Sequence, residues 1–410
     1  MIIAKVVSSN LINNATKEEN MKNAVIVSAV RTPVGRCRGI LASVEPYKMG
    51  AAVVKESIDR AGISMDLIDE VIFGNLMGHD VNNIARMVAL EAGIPMEKPA
   101  FTVDRQCGTS LNAIALGAMM IQLGEAKVIV AGGVESDSRR PYIMLKPEVG
   151  YSVTPPRFSE ELRLSPDHIG NPNMGITAEN LADIYNLTRE ELDEFAINSH
   201  RKATEAAANG KFNEQILPIE VDLGKGKKVT VYEDETIRKD ANFESMAKLK
   251  PVFKKDGMVT AGNSSPMSDG AGAVVIMEEE LAKSLGLEIL ARYKAFTSVG
   301  CDPNTMGIGP VPATRKILEK TNLKLEDIDL IELNEAFAAQ SLACIRELDI
   351  DEDKLNVNGG AIALGHPLAG TGAILVTKMV YEMKARDAKL GLVTFCCGGG
   401  QGVSMVLERD

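Results

Sequence analysis

The sequence predicts an α/β fold built from two similar halves, with a different region inserted between them. Short apolar runs alternate with amphipathic stretches, the two ends of the chain share a pattern, and the middle has its own composition. Strands that alternate with helices are typical of βαβ units, in which a largely parallel sheet is covered on both faces. A length of 410 residues allows two or three domains with a sizeable core.

Five apolar runs are predicted to be buried strands, and three amphipathic stretches are predicted to be helices. The apolar runs cover residues 25–27, 71–73, 128–131, 330–331 and 392–395. The helical patterns cover residues 49–61, 111–123 and 368–384.

The two ends of the chain show a weak internal repeat. Asp69 leads through an apolar strand to Asn75, and Asp329 leads through another to Asn334. A helix after Cys107 is followed by a strand and a glycine pair, and a helix after His366 is followed by a strand and three glycines. A true duplication would bring the two helix starts to one centre, whereas the alternative is chance similarity between two α/β segments.

The region between the halves is predicted to be an insertion that lies over the site and holds the long tail of a substrate. It has turns rich in proline and arginine, and Thr188 and Glu191 have the spacing of a capping box for a helix that ends near Gly210. The predicted boundaries are a tail at 1–20, an N-terminal half at 21–137 with 267–289, the insertion at 138–266, and a C-terminal half at 290–410.

Composition limits the partners and the compartment. The net charge of -11 argues against nucleic acid or an anionic membrane as the main partner, and no apolar run approaches the ~18 residues of a membrane-spanning helix. Six cysteines without a C-x-x-C pair fit a reduced, cytoplasmic protein.

Residues 1–20 contain acidic residues and a short apolar start, so they are interpreted as a disordered tail rather than a targeting peptide. A start of translation at Met21 is a further hypothesis.

Cys107 is a candidate nucleophile. It follows an extended run and precedes a helix, where free N–H groups and the helix dipole are expected to lower the thiol pKa. The alternative is a small buried apolar residue, which is a common role of free cysteine.

His366, Cys396 and Asn334 are further candidates. Glycine and proline flank His366, three glycines follow Cys396 and Cys397, and Asn334 ends a strand, where α/β folds place ligands. A thiol beside such a turn can move a proton near an oxyanion site, but only one of two adjacent strand residues should face it. Ordinary structural roles remain the alternative for each, and the cysteine pair has poor spacing for zinc, so no metal is expected.

Together these segments resemble the thiolase family, which includes acetyl-CoA acetyltransferases and 3-ketoacyl-CoA thiolases. The resemblance covers nearly everything from Lys22 to Asp410 and includes residues 103–108 (VDRQCG), 333–337 (LNEAF), 358–367 (NGGAIALGHP) and 395–400 (FCCGGG). It implies two stacked βαβαβαββ halves that form a five-layered αβαβα core, with an inserted loop domain.

The resemblance also implies a role for each site residue. Cys107 would be the acylated nucleophile, activated by His366. Cys396, rather than Cys397, would be the acid/base, because it stands two residues before the first glycine of the family pattern Cys-x-Gly-Gly-Gly.

The implied oxyanion holes use both side chains and backbone. Asn334 would hold a water that forms one hole with His366, and the N–H groups of Cys107 and Gly398 would form the other. Residues that match the CoA path are Arg238, Ser245, Ala261 and Ser265, and those around the pantetheine and acyl pocket are Phe253, Met306 and Phe337.

The implied reaction is a reversible, ping-pong condensation of two acetyl-CoA molecules to acetoacetyl-CoA and CoA. No cofactor is implied, CoA being substrate and product, and the expected assembly is a homodimer or homotetramer. Asn173, Ala369 and the segment 138–170 depart from the usual short-chain pattern. A degradative thiolase for longer or substituted acyl chains is therefore an alternative, and a non-catalytic acyl-CoA-binding protein is a third hypothesis.

Overall fold

A computed structural model describes residues 21–78, 80–147, 157–159 and 163–410. The predicted tail at 1–20 and the hypothesis of a start at Met21 concern residues outside the described ones. The strands are β1 (Ala24–Arg31), β2 (Gly35–Arg36), β3 (Glu70–Gly74), β4 (Ala100–Val103), β5 (Val128–Ser136), β6 (Met144–Leu145), β7 (Arg157–Phe158), β8 (Ile219–Asp222), β9 (Lys228–Val231), β10 (Ser268–Glu278), β11 (Ala291–Gly300), β12 (Leu330–Leu333), β13 (Leu390–Cys397) and β14 (Gln401–Glu408).

The helices include the three that the sequence predicts. They are α1 (Pro46–Ala61), α2 (Ile84–Ala92), α3 (Thr109–Gln122), α4 (Met174–Ile184), α5 (Arg189–Ala208), α6 (Phe243–Ala247), α7 (Glu279–Ser284), α8 (Pro310–Thr321), α9 (Ala338–Leu348), α10 (Ala361–Leu364) and α11 (Thr371–Arg386). All five predicted strands are present. The expected helix start at 368 is wrong, because Leu368–Gly370 form a separate 3₁₀ turn.

The strand order confirms the duplication. The N-terminal half has the order β4-β3-β5-β10-β1, and the C-terminal half has the order β12-β13-β14-β11. A single parallel bridge between Ile331 and Leu355 stands at the position that corresponds to β4. Two residue pairs between β1 and β11 join the strands of the two halves into one sheet.

The sheet is mixed, so the prediction of a largely parallel sheet is wrong. Pairs β3–β4, β3–β5 and β12–β13 are parallel, but β10 runs antiparallel to β1 and β5, and β14 runs antiparallel to β11 and β13. Between β13 and β14 the chain reverses at Gly399 and Gly400, which have φ of 79° and 82°. The apolar pattern of a sequence predicts which strands are buried, but it carries no information about the direction in which a strand runs.

Helices form three layers around the two halves of the sheet. Helices α3 and α11 contact each other and strands of both halves, so they form the middle layer. Helices α1 and α2 cover the outer face of the N-terminal half, and α8 covers that of the C-terminal half. The largest buried cluster lies around the middle layer and contains Leu111, Ile114, Val376 and Phe395. This arrangement is the αβαβα core.

The inserted region packs against the C-terminal half. Helix α4 contacts α9, and α5 contacts both α9 and α10. The capping box is confirmed, because Glu191 N donates to Thr188 Oγ1 at 3.2 Å and Thr188 N donates to Glu191 Oε2 at 2.7 Å. The domain boundaries at 137/138, 266/267 and 289/290 stay predictions. None of the helices in the described part of the chain is long and apolar enough to cross a membrane.

Candidate active site

A cavity of ≈ 520 Å³ brings together residues from both halves and from the insertion. Seven of the predicted site residues line it: Cys107, Phe253, Ser265, Met306, Phe337, His366 and Cys396. The wall is mostly apolar and also includes Met77, Leu164, Met174 and Leu368. The two helix starts of the internal repeat therefore do meet at one centre.

Cys107 lies just before α3, after a strained residue. Gln106 has a φ of 52°, which is unfavourable for a residue with a side chain, and Gly108 is the N-cap of α3. Burial raises the pKa of the Cys107 thiol to about 11, although N–H groups of Gly398 and of Cys107 itself lower it. The expectation of a lowered pKa is wrong, because burial outweighs the helix terminus. At rest Cys107 is therefore a thiol, and it could act as a nucleophile only if a base took its proton.

His366 is held in one orientation by its neighbours. It is buried, and Gly365 before it has a φ of 97°. Thr371 Oγ1 lies 2.7 Å from His366 Nδ1 and 3.2 Å from the Pro367 carbonyl, to which its hydroxyl donates. The hydroxyl therefore accepts from Nδ1–H, which leaves Nε2 without a proton. Burial lowers the His366 pKa to about 4, so the ring is neutral near pH 7.

The two adjacent cysteines face opposite sides of β13. Cys396 lines the cavity and packs with Met306 and Ala336, whereas Cys397 packs in the middle layer. A Cβ on Gly108 would lie 2.7 Å from Cys397 Sγ, so Cys397 fills the space against the start of α3. Burial raises the pKa of both thiols well above the usual range. Facing opposite ways, the pair cannot share one metal ion with His366.

Asn334 ends β12 and reaches the site through His366. Its Nδ2 lies 3.4 Å from His366 Nε2, and its Oδ1 is buried without a hydrogen-bond partner among the described residues. A buried, unpaired amide oxygen is costly unless a water or ligand satisfies it. Gly398 lies in the turn after β13, and its N–H points toward the Cys107 thiol. Among the described residues, no group of three or more His, Cys, Asp or Glu is placed to hold a metal.

A second cavity of ≈ 210 Å³ adjoins the first and shares Ser264 and Pro266 with it. Arg238 and Ala261 line this second cavity. Ser245 lines neither; it is exposed on α6, where it completes a capping box with Asn242. The structure therefore groups all of the predicted CoA-path residues except Ser245 along the two cavities.

Two polar residues of the site were not identified from the sequence. His200 is only 2% exposed and lines the second cavity. Its Nδ1 accepts from Arg238 N at 3.1 Å, and burial lowers its pKa to about 4. The spacing of α5 places His200 on the buried face with Ala196 and Ala203, which could have revealed its burial. Thr371, which orients His366, had no signal beyond its closeness in sequence.

Comparisons with known proteins identify the family. The thiolase N-terminal domain model matches residues 24–280, and the thiolase C-terminal domain model matches residues 287–409. Acetyl-CoA acetyltransferases of Pseudomonas aeruginosa and Escherichia coli are 47% and 46% identical to this chain, over 95% of it and 100% of each relative. The chain belongs to the thiolase family.

Solved structures show the same fold. The acetyl-CoA acetyltransferase of Bacillus anthracis has a TM-score of 0.91 at 44% identity and covers 95% of this chain and 99% of its own. Human mitochondrial 3-ketoacyl-CoA thiolase has a TM-score of 0.91 at 41% identity and covers 95% of this chain and 100% of its own. A structure of that human enzyme in complex with CoA has a TM-score of 0.90.

Proposed function

We propose that this thiolase catalyses the reversible condensation of two acetyl-CoA molecules to acetoacetyl-CoA and CoA. The observation that carries the proposal is the convergence of two thiols and a neutral imidazole on one mostly apolar cavity. The full-length relatives named acetyl-CoA acetyltransferase support the short acyl substrate.

In the first half-reaction, Cys107 attacks the thioester carbonyl of one acetyl-CoA and gives its proton to His366. The C–S bond to CoA breaks, and the departing CoA thiolate takes the proton of Cys396. The products are acetyl-Cys107, an imidazolium at His366, a thiolate at Cys396 and free CoA. The raised pKa values of both cysteines mean that each holds a proton at rest, which it gives up in this half-reaction, Cys107 to His366 and Cys396 to the departing thiolate.

In the second half-reaction, the Cys396 thiolate removes an α-proton from a second acetyl-CoA. The enolate attacks acetyl-Cys107, the C–S bond breaks, and His366 returns its proton to the Cys107 thiolate. Acetoacetyl-CoA leaves, and all protons are back where they began. These steps use side chains, backbone and two acyl-CoA molecules, so we propose that no metal or organic cofactor takes part.

Two sets of donors would stabilise the oxyanions. A water on Asn334 together with His366 would hold one, and the N–H groups of Cys107 and Gly398 would hold the other. The unpartnered Oδ1 of Asn334 supports the first assignment, since it can accept a hydrogen bond from such a water. Each donor is worth about 3 kcal/mol of barrier by analogy with other acyl-transfer sites.

The second candidate is a degradative thiolase for longer 3-ketoacyl chains. Leu164 and Leu368 extend the apolar wall, and the similarity to human mitochondrial 3-ketoacyl-CoA thiolase keeps this candidate open. Thiolysis of acetoacetyl-CoA should be compared with that of a longer 3-ketoacyl-CoA in wild type, Cys107→Ala and, as a control, Cys37→Ala.

We expect preferred turnover of acetoacetyl-CoA that Cys107→Ala abolishes and Cys37→Ala preserves, because Cys37 does not line the catalytic cavity. Preference for the longer substrate would favour the degradative thiolase. If the protein bound CoA but turned over neither substrate, the non-catalytic hypothesis would replace both.

We infer a homo-oligomer that works in the cytoplasm. Among the described residues β4 is paired on one side only, and Met87 and Leu90 of the adjacent helix α2 are exposed. A second copy that adds its own β4 would satisfy the free edge and cover this apolar surface. All six cysteines are free, which fits a reducing compartment. Light scattering should give a dimer or tetramer, whereas a monomer would contradict the inference.

A further inference from the structure

Glu135 is a buried acid that the proposed chemistry does not use. It is the penultimate residue of β5 and is 0% exposed. Within the part of the chain that the structure describes, no lysine, arginine or histidine forms an ion pair with it. A buried carboxylate without a counter-cation is expensive, so its position calls for a physical explanation.

Four N–H donors surround the carboxylate. Asn75 Nδ2 and Met77 N donate to Oε1, both at 3.1 Å, and Leu76 N and Ala369 N donate to Oε2 at 3.2 and 3.4 Å. Each oxygen therefore accepts two hydrogen bonds, which favour the ionised form of the group. Burial raises the Glu135 pKa to about 8, and the charge of Asp137 adds to the rise, whereas these donors lower it.

The donors come from both halves of the molecule, beside the catalytic cavity. Asn75 to Met77 follow β3, and Ala369 follows His366 by three residues. Met77 and Leu368 line the cavity, and both pack in one small apolar cluster with Leu76 and Ala369. The halves approach closely here, because a Cβ on Gly133 would lie 2.1 Å from the Ala369 carbonyl oxygen.

We propose that Glu135 is a positioning residue for acyl transfer, whose buried carboxyl group ties the 75–77 loop to the segment after His366 and so holds two walls of the catalytic cavity beside Cys107. The consequence for turnover rests on the proposed function. The tie itself depends only on the four hydrogen bonds and on the two halves that they join.

The charge of Glu135 also acts on the nucleophile. Glu135 and Asp104 both raise the Cys107 pKa, in addition to the effect of burial. The Cys107 pKa is about 11 and the Glu135 pKa is about 8, so Glu135 is already ionised at the pH where Cys107 loses its proton. The negative charge of Glu135 therefore disfavours formation of the Cys107 thiolate. Removing this charge should lower the pH at which Cys107 becomes reactive, which a purely structural role would not do.

The test is Glu135→Gln, which keeps the shape of the side chain but removes its charge. One carboxylate oxygen becomes an NH₂ group, which cannot accept the two hydrogen bonds that the oxygen accepted. Glu382→Gln is the matched control. Glu382 is also buried, is bound by Asn358 and Arg386, and does not line the catalytic cavity. Two quantities are measured on folded protein: kcat for acetoacetyl-CoA thiolysis, and the pH midpoint of Cys107 alkylation by iodoacetamide without acyl-CoA.

For Glu135→Gln we expect kcat to fall about tenfold or more, because small displacements of cavity walls misalign the reacting atoms. The alkylation midpoint should move to lower pH, and neither change should occur in Glu382→Gln. A variant with wild-type kcat would overturn the proposal, and so would a fall in kcat without a shift of the midpoint. Alkylation needs no turnover, so failure of the proposed function would be seen separately, in the wild type.

If Glu135→Gln does not fold, Asn75→Ala decides the matter. This change removes one donor to Oε1, the bond from Asn75 Nδ2 to the Val134 carbonyl and the bond that Asn75 Oδ1 accepts from Gly78 N, but it keeps the charge. A severalfold fall in kcat with an unchanged alkylation midpoint would support the tie, and unchanged kcat would overturn it.

Discussion

At the scale of single residues, the site depends on protonation states that burial sets. Cys107 is a thiol because burial raises its pKa, and His366 is a neutral imidazole because burial lowers its pKa. The same desolvation therefore disfavours the charged form of both groups. Proton transfer from Cys107 to His366 is therefore unfavourable at rest. It becomes favourable when the sulfur forms a bond to a substrate carbonyl carbon.

The first prediction concerns His366. In His366→Asn the proton acceptor is lost, but the asparagine amide places a polar group about where His366 Nδ1 was. Acylation of Cys107 by labelled acetyl-CoA should slow about 10²- to 10⁴-fold, the usual contribution of a positioned base. Thr371→Val, which keeps the imidazole but removes the hydroxyl that orients it, should give a smaller loss. An unchanged acylation rate in His366→Asn would contradict the assignment.

The second prediction separates the adjacent cysteines. Cys396→Ala should lose condensation by at least about 100-fold while Cys107 is still acylated, because CoA is a good leaving group. Cys397→Ala should keep its turnover and lose about 1–2 kcal/mol of unfolding free energy, since it leaves a small gap in the middle layer. Rapid-quench acylation, steady-state turnover and urea unfolding distinguish the two. The opposite pattern would mean that Cys397 faces the substrate.

At the scale of elements, the site forms where strands and helices end. Cys107 precedes α3, Asn334 follows β12, and Gly398 begins the turn between β13 and β14. Because these ends meet at one edge of the sheet, short turns bring distant parts of the chain together. Backbone segments pack closely against their neighbours here, and glycines stand at the positions where a side chain would clash.

The third prediction tests one such approach. In Gly175→Ala, the new Cβ in α4 would lie 2.1 Å from the Phe253 ring, which lines the cavity. The ring has to move, so KM for acyl-CoA should rise severalfold although alanine favours helix formation. Gly117→Ala in α3 is the control. It crowds Ile129 and Ile276 at 3.0 and 3.1 Å and should lower stability without changing KM.

The scale of elements also shows what burial patterns could and could not predict. Apolar runs located all five expected strands, and the Thr188 capping box located the start of α5. Strands β10 and β14 were not among the predicted strands. Their antiparallel direction could not have been predicted either, because buried parallel and antiparallel strands can have the same apolar composition. His200 was not identified, although its spacing with Ala196 and Ala203 on α5 indicates the buried face.

At the scale of the whole molecule, two halves and an insertion share one interior. The Arg31–Asp234 ion pair, which is fully buried at 2.7 Å, ties β1 to the inserted region. Buried histidines and carboxyl groups with shifted pKa values make the stability depend on pH, because the unfolded chain titrates at ordinary pKa values.

The fourth prediction concerns acid stability. His200 and His366 have folded pKa values of about 4, below the unfolded value of 6.5, so the unfolded chain binds more protons between these values. Their contribution to stability is present above pH 6.5 and is lost as the pH falls toward 4. Glu135 and Asp137, with pKa values raised to about 8 and 6, act in the opposite direction.

A difference measurement isolates the contribution of one histidine. Urea unfolding of wild type and His200→Gln at pH 7 and pH 5 should show that the wild type loses about 2 kcal/mol more than the variant over this range. The exposed His168→Gln should lose as much as the wild type. Equal losses in wild type and His200→Gln would show that His200 is not desolvated in solution.

By itself, the sequence determined the alternation of strands and helices, the internal repeat, and the residue types that perform the chemistry. These features follow from local periodicity and from motifs whose members lie close together in the chain. Only the tertiary structure decided that the sheet is mixed and that the Cys107 pKa is raised rather than lowered. It also places Cys396, which the family resemblance had chosen over Cys397, in the cavity wall. It also revealed Thr371 and Glu135 as partners of the site. Those properties depend on burial and on contacts between residues far apart in the chain, which only the packing of the two halves specifies.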